Sequence, residues 1–183
     1  MDREFSYKTI TPKKNSNYFG GILKNENKEL LVYLLALFTI PLLPLNQLIV
    51  GTLVNALLIK SAIDYNTKKV FLLALVPSIA VITGGILFGN LTPQLLLILP
   101  AIWISNFTLM FFTRSFHKKA KMDFFKSAIL SSTIKTTILF IVSIILFTLN
   151  LVPVIFLTMF GIIQFVTAIS GAIVVLISKK IKF

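Results

Sequence analysis

Cysteine is absent from the 183 residues, histidine occurs once, and Asp and Glu together number 6 against 18 Lys and Arg. Each shortage removes a class of chemistry. Without cysteine there are no disulfides, thiol nucleophiles or iron–sulfur clusters, and a single histidine starves a zinc site of ligands. A membrane-embedded serine or zinc protease needs a histidine at depth, whereas His117 falls in the basic stretch "RSFHKKAKMDFFK". No G-x-x-x-x-G-K-[ST] phosphate loop occurs, so ATP hydrolysis by that machinery is excluded. The acids, Asp2, Glu4, Glu26, Glu29, Asp64 and Asp123, all lie outside the long apolar runs. That removes an acid-based proton or sodium relay and leaves no carboxylate cluster to hold Mg²⁺. The expectation is a chain that is not an enzyme and that carries neither a metal nor a cofactor.

What is plentiful is apolar surface. Hydrophobic residues make up 56% of the chain and its mean hydropathy is +0.92, against roughly 45–50% apolar residues in a soluble domain. This composition is that of an integral membrane protein. A net charge of +12 on a soluble protein would suggest nucleic acid. Here the basic residues flank hydrophobic runs, where they meet anionic lipid headgroups and set orientation.

The pattern predicts an all-α, compact bundle of six transmembrane helices, approximately 30–44, 45–63, 70–89, 95–113, 127–149 and 154–178. Residues 1–29 form a basic, partly disordered cytoplasmic tail without the apolar core of a signal peptide, and 179–183 a basic C-terminus. Leu30 to Ala62 is almost continuously apolar, and Pro41 and Pro44 in "IPLLPLNQ" favour a break there. Charge decides between five spans and six. Basic residues cluster in the tail (Arg3, Lys8, Lys13, Lys14, Lys24, Lys28), at Lys60, Lys68 and Lys69, at Arg114, Lys118, Lys119, Lys121 and Lys126, and at Lys179, Lys180 and Lys182. Six spans place all four clusters on one side and make both termini cytoplasmic, whereas five would separate the tail from Lys60–Lys69.

One basic residue is left over. Lys135 sits in "SSTIKTTILFIVSIILF", about 12–15 Å above the cytoplasmic start of the fifth span and near the middle of a hydrocarbon core about 30 Å thick. A lysine there costs about 2.5–3.5 kcal/mol even on a lenient insertion scale. Three readings are open: it snorkels past Ser131 and Ser132 toward the cytoplasm, it meets an anionic or carbonyl-bearing ligand, or it is held neutral and so avoids a lone buried charge. Asn55, Asn106 and Gln164 fall near the same depth in the second, fourth and sixth spans. They serve either as hydrogen bonds between helices or as ligand contacts. Trp103, mid-span rather than in an interfacial belt, either packs in the bundle or stacks on a planar ligand. Asn46, Gln47, Asn90 and Gln94 lie in the uncharged outer connections, as gate residues or as ordinary turn residues. The candidate ligand-binding set is Lys135, Asn106, Gln164, Trp103, Asn55, Asn90 and Gln94.

Small residues four apart in "TAISGA", Thr167 with Gly171 and Ala168 with Ala172, permit a close helix contact, within the fold or with a partner. Pro77 and Pro100 predict kinks in the third and fourth spans.

The runs "GTLVNALLIKSA", "VPSIAVITGGILFGNLTPQLLLILPAIWISN" and "MFGIIQFVTAISGAI", with the helix count and the Pro- and Asn-marked turns, resemble the substrate-binding (S) component of energy-coupling factor (ECF) transporters. The likeness covers about residues 30–178 and is closest to members of unassigned substrate. It implies a prokaryotic-type plasma membrane protein that takes a vitamin-like micronutrient from outside, in a pocket near the outer halves of the fourth to sixth helices beneath outer loops. It also implies a membrane coupling protein and two cytoplasmic ATPases as partners. Two departures stand out. Paired alanines four apart on the first helix, often used for docking, are replaced by Ala36 and Ile40, so docking would fall to Gly51 and Asn55 or to the small residues of the sixth span. The N-terminal histidine of the cobalt and nickel members is missing. The alternative reading is a non-catalytic membrane scaffold or assembly subunit whose buried polar groups only join helices.

Overall fold

The computed structural model describes the backbone of residues 16–181 and the side chains of residues 27–178. The tail residues 1–15 and the end of the C-terminal segment lie outside the described residues. Two units are distinguished, Met1–Val32 and Tyr33–Phe183, each taken by itself. Residues 16–32 of the first are helical. They run into the second as helix α1 (Ser16–Thr39), followed by a 3₁₀ turn at Ile40–Leu42. Then come α2 (Gln47–Asp64), α3 (Thr67–Gly84), α4 (Thr92–Arg114), α5 (Phe124–Thr148), α6 (Ile155–Phe160) and α7 (Ile162–Ile181).

The helix ends follow local chemistry. Pro41 opens the 3₁₀ turn, and Asn46 caps α2 by accepting from the backbone N–H groups of Leu48 and Ile49. Asn66 caps α3 and Asp123 caps α5 in the same way. Gly85, at φ 63°, ends α3 in the left-handed conformation that a side chain disfavours. The third apolar run therefore stops helical structure at Gly84 rather than at residue 89, and residues 85–91 make the turn into α4. Pro77 and Pro100 both sit inside helices.

Among the described residues, five segments are long and apolar enough to cross a bilayer: Gln47–Asp64, Thr67–Gly84, Gly89–Lys119, Phe124–Thr148 and Ile155–Ser178. The last is not one continuous helix. The ladder breaks at Gly161, whose backbone (φ −97°, ψ −100°) separates α6 from α7.

Burial is inverted relative to a soluble bundle. Leu96, Ile104, Ile141 and Ile162 face outward, while Ser105, Ser127, Ser131, Ser132 and Ser143 are buried. Ser131 Oγ donates to Ser127 O and Ser132 Oγ to Ala128 O, whereas Ser143 Oγ has no partner among the described residues. Their small volume lets α5 approach α4 and α7 closely. An apolar cluster of Leu95, Ile98, Ala101, Leu139, Val152, Phe156 and Phe160 joins α4, α5 and α6.

A close seam joins α2 and α7. A Cβ on Gly51 would lie 2.9 Å from Thr167 Cγ2, and one on Gly171 would lie 2.7 Å from the backbone nitrogen of Ala56. Gly51 and Asn55 thus face Thr167 and Gly171 with the same four-residue step, so α2 and α7 run parallel, as five alternating passes require. The small residues of "TAISGA" are consumed here, inside the fold. Gly51 and Asn55, offered above as a docking face, are covered by those same residues and are not free for a partner.

Candidate functional site

Asparagine and glutamine amides and a lysine meet around one internal cavity. It is lined by residues of α2, α3, α4, α5, α6 and α7, and holds about 80 Å³ of free volume. Asn55, Asn106 and Lys135 line it, and they are 1%, 4% and 2% exposed. Each lies near the middle of its helix, which is why depth estimates from the sequence placed them together.

Lys135 does not snorkel. Its Nζ donates to Asn55 Oδ1 at 2.6 Å, across from α5 to α2. Asn55 Nδ2 donates in turn to Thr167 Oγ1 at 3.1 Å, and Thr167 Oγ1 donates to Gln164 O at 3.1 Å. A chain of polar groups therefore ties α5, α2 and α7 together at one depth. Asn106 Nδ2 donates to Ala74 O at 3.1 Å and so joins α4 to α3. Among the described residues Asn55 is the only hydrogen-bond partner of Lys135. The nearest acids in sequence sit at helix ends, Asp64 as the last residue of α2 and Asp123 as the cap of α5. No group of three or more His, Cys, Asp or Glu side chains suited to a metal occurs among the described residues.

Of the seven candidate residues, Lys135, Asn55, Asn106 and Gln164 line the cavity. The side-chain amide of Gln164 has no hydrogen-bond partner among the described residues and is half-buried. Trp103, Asn90 and Gln94 do not line it. Trp103 Nε1 donates to Ser78 Oγ at 2.7 Å, so its indole braces α4 against α3 instead of offering a face to a ligand. Asn90 is exposed in the turn before α4, and Gln94 Oε1 is buried without a partner on the first turn of that helix. The residues missed were Ser78 and Thr167, which line the cavity too. Thr167 was visible only as a small packing residue, and Ser78 only as the neighbour of Pro77; their second role depends on helix rotation.

From base to mouth the lining changes character. Lys135, Asn55 and Asn106 lie deep, Val54, Val81 and Ile102 form walls, and Pro41, Gln47, Leu87 and Phe88 come from the connections at the opposite end. Phe88 stacks on Phe160 with centroids 6.1 Å apart, which fixes the α3–α4 turn over α6. The free volume is well below the roughly 300–1,000 Å³ of sites for drug-sized ligands.

Fold and cavity together define a multi-pass helical membrane protein with a polar site inside the bundle. No protein-family model, curated protein or solved structure matches the chain.

Proposed function

We propose that the chain is the substrate-binding subunit of an ECF-type uptake transporter, a six-pass protein of a prokaryotic plasma membrane with both termini cytoplasmic. It captures a small organic micronutrient from outside, and a coupling protein with cytoplasmic ATPases supplies the energy. The observation that carries this reading is the convergence of Asn55, Asn106, Lys135 and Gln164 on one internal cavity, with a lysine at its base that no carboxylate accompanies among the described residues. A buried ammonium that only joined helices would be an expensive substitute for an amide.

A sixth crossing is supported by the reach of residues 33–46. Tyr33 Oη donates to Asp64 Oδ2 at the last residue of α2, while Pro41 and Gln47 line the cavity near the first. The segment thus covers the length of α2, about 27 Å at 1.5 Å per residue.

The scaffold reading has one observation in its favour. Lys135, Asn55 and Thr167 form a connected chain that leaves only about 80 Å³ beside them. Gentle purification of the full chain from native membranes separates the two. Co-recovery of a membrane coupling protein and ATPases, with a small molecule released on denaturation and identified by mass spectrometry, is the expected result. Reproducible recovery of the chain without them favours the scaffold.

A further inference from the structure

The polar groups at the base of the cavity are partly committed to one another and to the backbone. Asn55 Nδ2 is bound to Thr167, Asn106 Nδ2 to Ala74 O, and the Ser78 hydroxyl donates to Leu75 O. Lys135 keeps the most donors to spare, two of the three N–H groups of an ammonium once Asn55 Oδ1 has taken one, while Asn55 and Asn106 keep one amide N–H each and the Gln164 amide keeps both. An incoming group is therefore recognised there by accepting from Lys135. It is favoured further if it brings the single negative charge that the cavity lacks. A second negative charge would have no cation to meet, because Lys135 is the only charged residue among the described residues of the lining. Above this base the walls are hydrocarbon, including Val54, Val81, Leu95 and Ile102, and they reward an apolar body.

We propose that the occupant is a small organic monoacid with an apolar body, bound carboxylate-first, its carboxylate taking the place of Asn55 Oδ1 on Lys135 Nζ. The inference rests on the reading of this cavity as a ligand site and deepens it by naming the chemical class. Asn55 acts as a stand-in for the ligand's acceptor in the empty protein. Its amide is held ready by Thr167, so the ammonium is never left without a partner while the site is vacant.

The test is thermal unfolding of the full chain in nanodiscs at constant ionic strength, titrated with butanoate, butanamide or butylammonium. Butanoate is expected to raise Tm by roughly 5 °C near saturation, while the amide and the amine leave it unchanged. Lys135→Met is expected to lose the response. Asn55→Asp supplies an internal carboxylate, and is expected to raise Tm without ligand and to abolish the response. Equal stabilisation by butanamide, a response that survives Lys135→Met, or an undiminished response in Asn55→Asp overturns the monoacid assignment while leaving the cavity a ligand site. Silence toward all three probes also overturns it, and recovery of the coupling protein and ATPases still decides the transport reading separately.

Discussion

Lys135 and Asn55 form an unequal pair, and the inequality is measurable. Replacing Lys135 by Met removes an ammonium that costs about 2.5–3.5 kcal/mol at mid-membrane. It also leaves Asn55 Oδ1 buried without its donor, a loss of about 1–3 kcal/mol. The two nearly cancel, so Lys135→Met is expected to change stability by less than about 1 kcal/mol in reversible unfolding. Asn55→Leu strands the ammonium instead, and is expected to cost about 3 kcal/mol or more. A larger loss for Lys135→Met than for Asn55→Leu would reverse the roles assigned here. Lys135 was legible in the sequence because it was the only basic residue that orientation did not explain. Its partner was not, because an amide three helices away is chosen by helix rotation, which hydropathy leaves free.

At the scale of the element, α2 and α7 pack through glycine at two places of different stiffness. The Cβ of Gly171→Ala would press on the Ala56 backbone, which cannot rotate away, whereas that of Gly51→Ala meets the side chain of Thr167. Gly171→Ala is expected to cost about 1–3 kcal/mol and to exceed Gly51→Ala, as measured by unfolding of the two variants side by side. Asp123 Oδ1 accepts from the N–H groups of Phe125 and Lys126, so Asp123→Ala is expected to weaken the start of α5 by about 1 kcal/mol. The seam was half legible, since "TAISGA" announced a close contact but not its partner. The break at Gly161 was not legible, because one glycine in an apolar run is compatible with an unbroken helix. Only glycine fits the backbone there, because a Cβ would fall 2.5 Å from Leu157 O and 2.9 Å from the Phe140 ring.

For the whole molecule, lipid takes the place that water holds around a soluble bundle, and the charges collect at the ends. Lys118 Nζ reaches Ile63 O, so the connections after α2 and after α4 lie together at one end of the bundle. The absence of cysteine makes the proposed orientation directly testable with single introduced thiols. In intact cells a membrane-impermeant maleimide is expected to label Asn46→Cys and Asn90→Cys, and to label Lys68→Cys and Lys121→Cys only after permeabilisation. The reverse pattern would invert the protein, and would place the cavity mouth inside the cell.

The sequence by itself determined that the chain is helical and membrane-embedded, and it set the depth at which polar groups occur, because hydropathy and rise per residue act along one dimension. It also marked Pro41 and Pro44 as the break between the first two runs, since proline acts through local backbone chemistry. Only the tertiary structure decided that Asn55, rather than a serine of α5, receives Lys135, that Trp103 braces α3 instead of facing the cavity, and that the sixth run divides at Gly161. Those outcomes depend on how each helix is turned about its axis. In a chain apolar on nearly every face, that rotation is set by side-chain fit between helices rather than by any hydrophobic stripe written along them.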